Sequence, residues 1–319
     1  MDQDPKILWK SIPSNQDEPF SKPDDMIGAG AVLGKKLIAA SHRGRSHASM
    51  GYHREDDFSM YTDIAHHWAV LSVSDGAGAY EYSRLGSSVA AQSVVSYCKE
   101  TRFVNGLIQL DEAIEDYFRF RSEAAKQRID AFIEIHLEAC AKFVHHSLIS
   151  KGGELKIALD KMHATLSFVL LKKYKFGYAL FSFGVGDSPI ALVRDGGKDV
   201  KLLNKIDVGD SGIGTEFISM HEIFDSVGFN SRFSFQIVPN FDFLFLMTDG
   251  ISAPKLGSGK SIADPAQWRK LIADLNGKND GKFVVDWKAQ PQTAAQQLLQ
   301  WLGFWDLMNH DDRTMIVVY

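Results

Sequence analysis

Cysteine is scarce in this chain. Its 319 residues include two, Cys98 and Cys140. Neither belongs to a CxxC pair or a Cys/His zinc spacing, so neither a disulfide framework nor a structural zinc site organises the fold. Two reduced, buried thiols are expected instead. Long hydrophobic runs are missing as well: no apolar stretch reaches the roughly 18–20 residues that cross a bilayer. The opening segment MDQDPKILWKSIPSNQDEPFSKPDD lacks the apolar centre of a signal peptide, so a cytoplasmic protein is expected. Runs of one charge are absent, and the net charge is only −5. That argues against nucleic acid or an acidic membrane as a partner. Repeats and low-complexity tracts are not found. What is present is an ordinary globular composition, 45% hydrophobic and 24% charged, with enough apolar material for a sizeable core.

Residues 1–30 are polar and carry Pro5, Pro13, Pro19 and Pro23. They read as an extended N-terminal arm, with Ile7–Trp9 as its candidate anchor. Residues 31–319 read as one domain. Strands are expected at Lys36–Ser41, within HHWAVLSVSDG, in ATLSFVLLKK, FGYALFSFGVGDS and PIALVRDGGKDVKLL, at Phe233–Val238 and Phe243–Met247, and in the terminal DDRTMIVVY. Helical spacing covers Ser83–Glu100, Leu107–Phe118, Ser122 to Ile149, Pro265–Leu275 and Thr293–Leu302. Helices cluster and strands cluster. An α+β architecture follows, with antiparallel sheets layered between helices.

Several aspartates share one context, the end of an apolar strand: Asp56 in REDDF, Asp75 in LSVSDGAGA, Asp187 in FSFGVGDSP, Asp249 in FLFLMTDGIS and Asp311 in NHDDRTMIVV. Glu55 and Asp57 flank the first. Strand ends converge when the strands are neighbours, and converging carboxylates repel unless a cation sits among them. Hard oxygen donors select Mg²⁺, Mn²⁺ or Ca²⁺ over zinc. Glycine after Asp75 and Asp249 removes the Cβ that would hinder a close approach of the backbone. Asp-Gly is equally the favoured pair of a tight turn, and Asp195–Gly196 is read as one. Spacing alone leaves the two readings of the set evenly matched.

In order along the chain, SHRGRSHASMGYHREDDF, VSDGAGAYEYSRLGS, ATLSFVLL, FGVGDSPIALV, LMTDGIS and DDRTMIVV resemble the motif series of type 2C (PPM) metal-dependent serine/threonine protein phosphatases. The GxxH-then-EDDF spacing, and GDSGIGTEFIS after the middle strands, resemble the bacterial branch. The resemblance runs from about Lys36 to Tyr319. It implies a four-layer α-β-β-α sandwich of two antiparallel sheets flanked by helix pairs. It also implies two divalent cations, Mg²⁺ or Mn²⁺, bridged by a water or hydroxide that attacks the phosphomonoester. By that resemblance Asp75 bridges both ions, with the carbonyl of Gly76 beside it. Asp249 and Asp311 hold one ion, Glu55 and Asp56 lie near the other, and Asp187 is linked to a third, weaker one. Thr248 and Ser188 are read as supporting or turn residues. The implied partners are a phosphoserine or phosphothreonine protein substrate and a cognate kinase, with the protein a monomer.

Some positions depart from the family pattern. The phosphate-gripping arginine of many members falls at Gly51, or at His47 if GxxH is the guide. His47 is therefore a candidate phosphate donor or acid, or a residue that holds a loop. Arg43, Arg45 and Arg54 are alternative grips for phosphate. Ala77 stands where some relatives carry a histidine, so no general acid is assigned there. His66–His67 and His145–His146 are read as edge residues, and WLGFW at 301–305 as core packing. Residues 250–300 fall where the family has a variable flap that shapes substrate choice. Two alternatives stand beside an active phosphatase: a catalytically weak homologue that binds phosphoproteins or regulates a kinase, and a small-molecule phosphomonoesterase.

Overall fold

The apolar runs pair into two antiparallel sheets in a computed structural model that describes residues 9–207, 215–225 and 227–319. In chain order the strands are β1 (Asp25–Val32), β2 (Lys35–His42), β3 (Asp57–Asp63), β4 (Trp68–Ser74), β5 (Leu166–Tyr174), β6 (Gly177–Val185), β7 (Ile190–Arg194), β8 (Asp199–Leu202), β9 (Phe233–Val238), β10 (Phe243–Met247) and β11 (Arg313–Val318). One sheet has six strands in the order β1-β2-β11-β10-β7-β8, and the other has five in the order β3-β4-β5-β6-β9.

The α-helices are α1 (Arg45–Met50), α2 (Ser83–Cys98), α3 (Thr101–Gln109), α4 (Asp111–Phe120), α5 (Glu123–Phe132), α6 (Glu138–Leu155), α7 (Glu222–Asp225), α8 (Asp249–Leu256), α9 (Pro265–Leu275) and α10 (Pro291–Leu302). A single wide π turn, Ile133–Leu137, joins α5 to α6 in one helical run.

Three clusters of buried side chains define the layers. Val70, Phe168, Leu170 and Phe181 of the five-stranded sheet pack outward on Val94, Cys98, Cys140 and Val144 of α2 and α6. Ile38, Phe245 and Val317 of the six-stranded sheet pack outward on Trp268, Leu271, Leu298 and Trp301 of α9 and α10. Between the sheets, Leu37, Ala39, Leu71, Val169, Leu244 and Ile316 meet face to face. Strands β4 and β6 are buried along their whole length because both faces are covered. The result is the α-β-β-α sandwich expected from the resemblance. Both cysteines are free and buried within it.

Two expectations change. The arm was read as ending at residue 30, but Asp25–Val32 is the first strand and pairs with β2 along its length, from Asp25 opposite His42 to Val32 opposite Lys35. A flap is expected within residues 250–300, yet this stretch, including helices expected at Pro265–Leu275 and Thr293–Leu302 and found at Pro265–Leu275 and Pro291–Leu302, supplies the outer layer of the six-stranded sheet, with Ile251, Trp268, Leu275 and Leu298 at most 1% exposed. The Asp195–Gly196 turn is present, with both residues at positive φ. WLGFW packs as expected: Trp301 is buried and its ring lies 5.2 Å from that of Phe304. The candidate anchor Ile7–Trp9 lies outside the described residues except for Trp9, whose ring sits 4.3 Å from His310.

Register places the site. Asp57 pairs with Ser74, so Asp56 and Asp75 are the next positions beyond that pair. Met247 pairs with Met315, which carries Asp249 alongside the start of β11. Leu166 pairs with Val185, and Gly76 bridges Ala164, which sets Asp187 beside the same rim. His42 pairs with Arg313, bringing the loop before β3 against residues 309–312.

Candidate metal centre

Asp75, Asp56, Asp249, Asp311 and Asp187 meet at one rim of the sandwich, as their positions at strand ends predict. The charges of Asp56, Asp249, Asp311 and Asp187 all act on Asp75. Burial first, then those neighbours, push its carboxyl well above the usual carboxylate range. Asp249, the first residue of α8, is pushed up to about 7 by burial and by Asp187 and Asp311. Burial also raises Asp187. Asp311 belongs to the exposed edge of the rim, yet desolvation of its carboxyl and the charge of Asp312 raise it too.

The backbone that carries these groups is fixed by small polar side chains. Thr165 Oγ1 accepts the Asp75 N–H at 3.0 Å, and the Thr165 N–H returns a bond to the Asp75 carbonyl at 2.8 Å. Thr248 Oγ1 donates to Asp56 Oδ2 at 2.8 Å and accepts the Thr314 N–H at 3.0 Å. This matches the supporting role read for Thr248. Gly76 is required by space: a Cβ there would stand 2.8 Å from the Glu55 carbonyl oxygen and 2.9 Å from that of Ser83.

The donor set fits divalent cations. Asp56 Oδ1 and Glu55 Oε2 are buried with no hydrogen-bond partner in the protein, an arrangement that costs several kcal/mol unless a cation completes it. Burial, with Asp312 adding and His47 opposing, raises Glu55 to about 7. Carboxylate oxygens dominate, which suits Mg²⁺ or Mn²⁺.

Asp312 is the residue that the sequence reading missed. Its Oδ1 accepts the Gly44 N–H and its Oδ2 accepts the Glu55 N–H. His47 Nδ1 lies 3.0 Å from the same Oδ2, and His47 Nε2 lies 3.8 Å from Glu55 Oε2. Burial opposes a charge on His47, but Asp312, Glu55 and Asp311 outweigh it and lift His47 to about 9. His47, Asp311 and Asp312 present ligand atoms within 4.8 Å of one another.

Lys22 was missed as well. The arm delivers its buried ammonium to the Glu55 carbonyl at 3.2 Å, the Asp56 carbonyl at 3.0 Å and Ser87 Oγ at 2.9 Å, with Asp57 Oδ2 at 3.1 Å. Asp57 therefore serves as the partner of Lys22 on the side of the chain away from Asp56.

The arginines considered as phosphate grips are committed elsewhere. Arg54 is 1% exposed and bonds Pro23, Ser41 and the Asp56 carbonyl. Arg45 donates to the carbonyls of Gly303 and Phe304, and its guanidinium lies 5.2 Å from the Trp305 ring. Arg43 is held by Tyr52, Ile12 and Asp24. These bonds turn the guanidinium groups of Arg54 and Arg45 toward the protein, against their expected use as phosphate grips, while His47 lies beside Glu55 and Asp312. His66 pairs with Asp63, and His145 is buried against the Ile218 carbonyl. Both lie apart from the centre. Of GDSGIGTEFIS, residues 209–214 lie outside the described residues, while Thr215 Oγ1 donates to Asp187 at 3.4 Å.

A family model described as Protein phosphatase 2C matches residues 43–303. No curated protein matches the chain in sequence. Among solved structures, RsbX in complex with magnesium aligns over 92% of this chain and 98% of its own, at 13% identity and a TM-score of 0.48. A bacterial serine phosphatase aligns over 88% and 96%, at 14% identity and a TM-score of 0.48. The serine/threonine phosphatase Stp1 from Staphylococcus aureus aligns over 96% and 98%, at 12% identity and a TM-score of 0.44. Among the described residues, no helix is long and apolar enough to cross a membrane.

Proposed function

This chain belongs to the protein phosphatase 2C family and is a metal-dependent protein phosphatase, and we propose that it removes phosphate from phosphoserine and phosphothreonine in protein substrates. The observation that carries the site assignment is the gathering of Asp56, Asp187, Asp249 and Asp311 around Asp75 from distant parts of the sequence.

In this reading Asp75 and the Gly76 carbonyl stand at the middle of a site for two Mg²⁺ or Mn²⁺ ions. Asp249 and Asp311 serve one side, Glu55 and Asp56 the other, and Asp187 a further, weaker position. Divalent cations bound there would lower the pKa of a water molecule and neutralise phosphoryl charge during in-line attack. The protein's own part is orientation. Thr165 and Thr248 hold the Asp75 backbone and the Asp56 carboxylate. Asp312 Oδ2 forms an ion pair with Nδ1 of His47 at 3.0 Å, which leaves Nε2 as a donor toward a phosphoryl oxygen. Neither cysteine acts as a nucleophile, since both are buried in the helix layer. The reaction that supplies the substrate is phosphorylation of a protein hydroxyl, the work of a kinase.

The test is Mn²⁺-dependent hydrolysis of a phosphoserine peptide and of p-nitrophenyl phosphate. Both activities should be lost in Asp75→Ala and Asp249→Ala while circular dichroism stays native. A folded wild-type protein that turns over neither compound would rule the proposal out. Preference for sugar phosphates over phosphopeptides would move it to small molecules.

A further inference from the structure

We propose that the cleft beside the acidic centre seats the polypeptide that flanks the phosphorylated residue, and that its aromatic and acidic wall selects a basic side chain there. This rests on the phosphatase reading above and names the substrate class that reading leaves open.

The cleft holds about 800 Å³, within the usual range of sites that bury a ligand. It is continuous with the metal centre through the chain itself. One wall, Gly78 to Tyr82, is the loop that leaves Asp75, and another, Gly51 to His53, is the loop that enters Glu55. Glu55 lines cleft and centre alike, and its Oε2 lies 3.5 Å from where a Cβ on Gly78 would stand. The third wall is Glu18 to Phe20 of the arm. A phosphorylated residue reaching Asp75 therefore has its neighbours laid along these loops.

The lining is aromatic. The Phe20 and Tyr82 rings stand edge to face at 6.4 Å. Tyr80 packs edge-on against His163 at 4.5 Å, which fixes its plane. Tyr52 is 56% exposed on the opposite lip.

The charge is acidic. The basic Arg84 is already used: it donates to the Pro19 and Phe20 carbonyls and lies 3.7 Å from Glu18. Glu81 is exposed and has no ion-pair partner among the described residues. Tyrosine faces beside an unpaired carboxylate are the arrangement that holds guanidinium and ammonium groups. An acidic flank would instead meet Glu81 at like charge.

Two phosphoserine peptides, identical except for arginine or glutamate on either side of the phosphoserine, test this with Mn²⁺ present. Wild-type turnover of p-nitrophenyl phosphate, which has no flank, tests the phosphatase reading alone. Its absence would overturn that reading and this inference together. With turnover present, wild type is expected to favour the arginine peptide about fivefold in kcat/KM, the scale of an exposed cation–aromatic contact. Glu81→Lys should bring the ratio to about one or reverse it, and Tyr52→Ala should lower it without changing any charge. Equal wild-type rates for the two peptides, or a ratio that neither variant moves, would overturn the inference while leaving the phosphatase reading intact.

Discussion

The ammonium of Lys22 lies 3.1 Å from Asp57 Oδ2, directly behind the Glu55–Asp56 peptide whose carboxylates face the metal centre. The pair is nearly closed to solvent, with side chains 8% and 9% exposed. The extended N-terminal arm thus reaches under the site and clamps it through Lys22.

Breaking that pair should be costly on two counts. Lys22→Met leaves Asp57 buried without its cation and removes donors from two carbonyls. A loss of about 3 kcal/mol in urea unfolding is expected, along with weaker Mn²⁺ binding by calorimetry. Adding Asp57→Asn should recover most of the stability, because the orphaned charge is gone. A double variant no more stable than Lys22→Met would show that the ion pair is not what holds the arm.

In the absence of metal the carboxylates oppose one another, so removing one should stabilise the fold. Asp249→Asn is expected to raise stability in EDTA at pH 7.5 by about 1–2 kcal/mol. Wild type should gain stability as Mn²⁺ is added, by mass action, and the variant should gain little. Thermal melts with and without metal check both halves. A variant less stable than wild type in EDTA would contradict the burial and neighbouring charge that raise Asp249.

Asp312 joins three pieces of chain: Gly44, His47 and the backbone of Glu55. Asp312→Ala should cost about 3–5 kcal/mol, since it strands a buried histidinium and two N–H groups. His47→Gln, which leaves the backbone acceptors in place, should lose far less stability but depress kcat on phosphopeptides. Equal destabilisation by the two changes would reduce His47 to a structural role.

His145 offers a pH test away from the metal centre. Burial lowers its pKa below the ordinary value, and it faces His146 and His221. Below pH ~6.5 the unfolded chain protonates this ring while the folded protein does not, so stability falls as pH drops. The decline between pH 7 and pH 5.5 should be shallower in His145→Gln. Parallel curves for wild type and variant would show that His145 does not contribute.

Much of this was legible in the sequence, for reasons visible at particular residues. WAVLSVS, GYALFSFGV and TMIVV are buried on both faces, so their largely apolar runs announced β4, β6 and β11. DMIGAGAV did not announce β1, because an edge strand with two glycines and a patchily exposed face carries little period. Helix α8 was hidden by its internal Pro254 and small residues. Asp75 and Asp249 stood out because each ends such a run in Asp-Gly. The doublet Asp311–Asp312 showed that acid was there but not that the two would divide the work, one at the rim and one beneath His47. Arg54 looked like an anion grip because burial by chain far away leaves no mark on neighbouring letters. Lys22 was invisible for the same reason: its partners lie between 33 and 65 positions away.

The wide turn at Ile133–Leu137 constrains how this lineage can vary in length. It holds one residue more than a regular helical turn, and that extra residue sets the phase between the two halves of the run. Upstream, Ile129 and Phe132 face the core, with the Phe132 ring 5.3 Å from that of Phe181. Downstream, Cys140 and Val144 do the same. Deleting one codon there would restore a regular helix yet swing the upstream half by about 100°, turning Phe132 toward water. Insertions and deletions in descendants of this chain should therefore accumulate in the loops and spare residues 129–144.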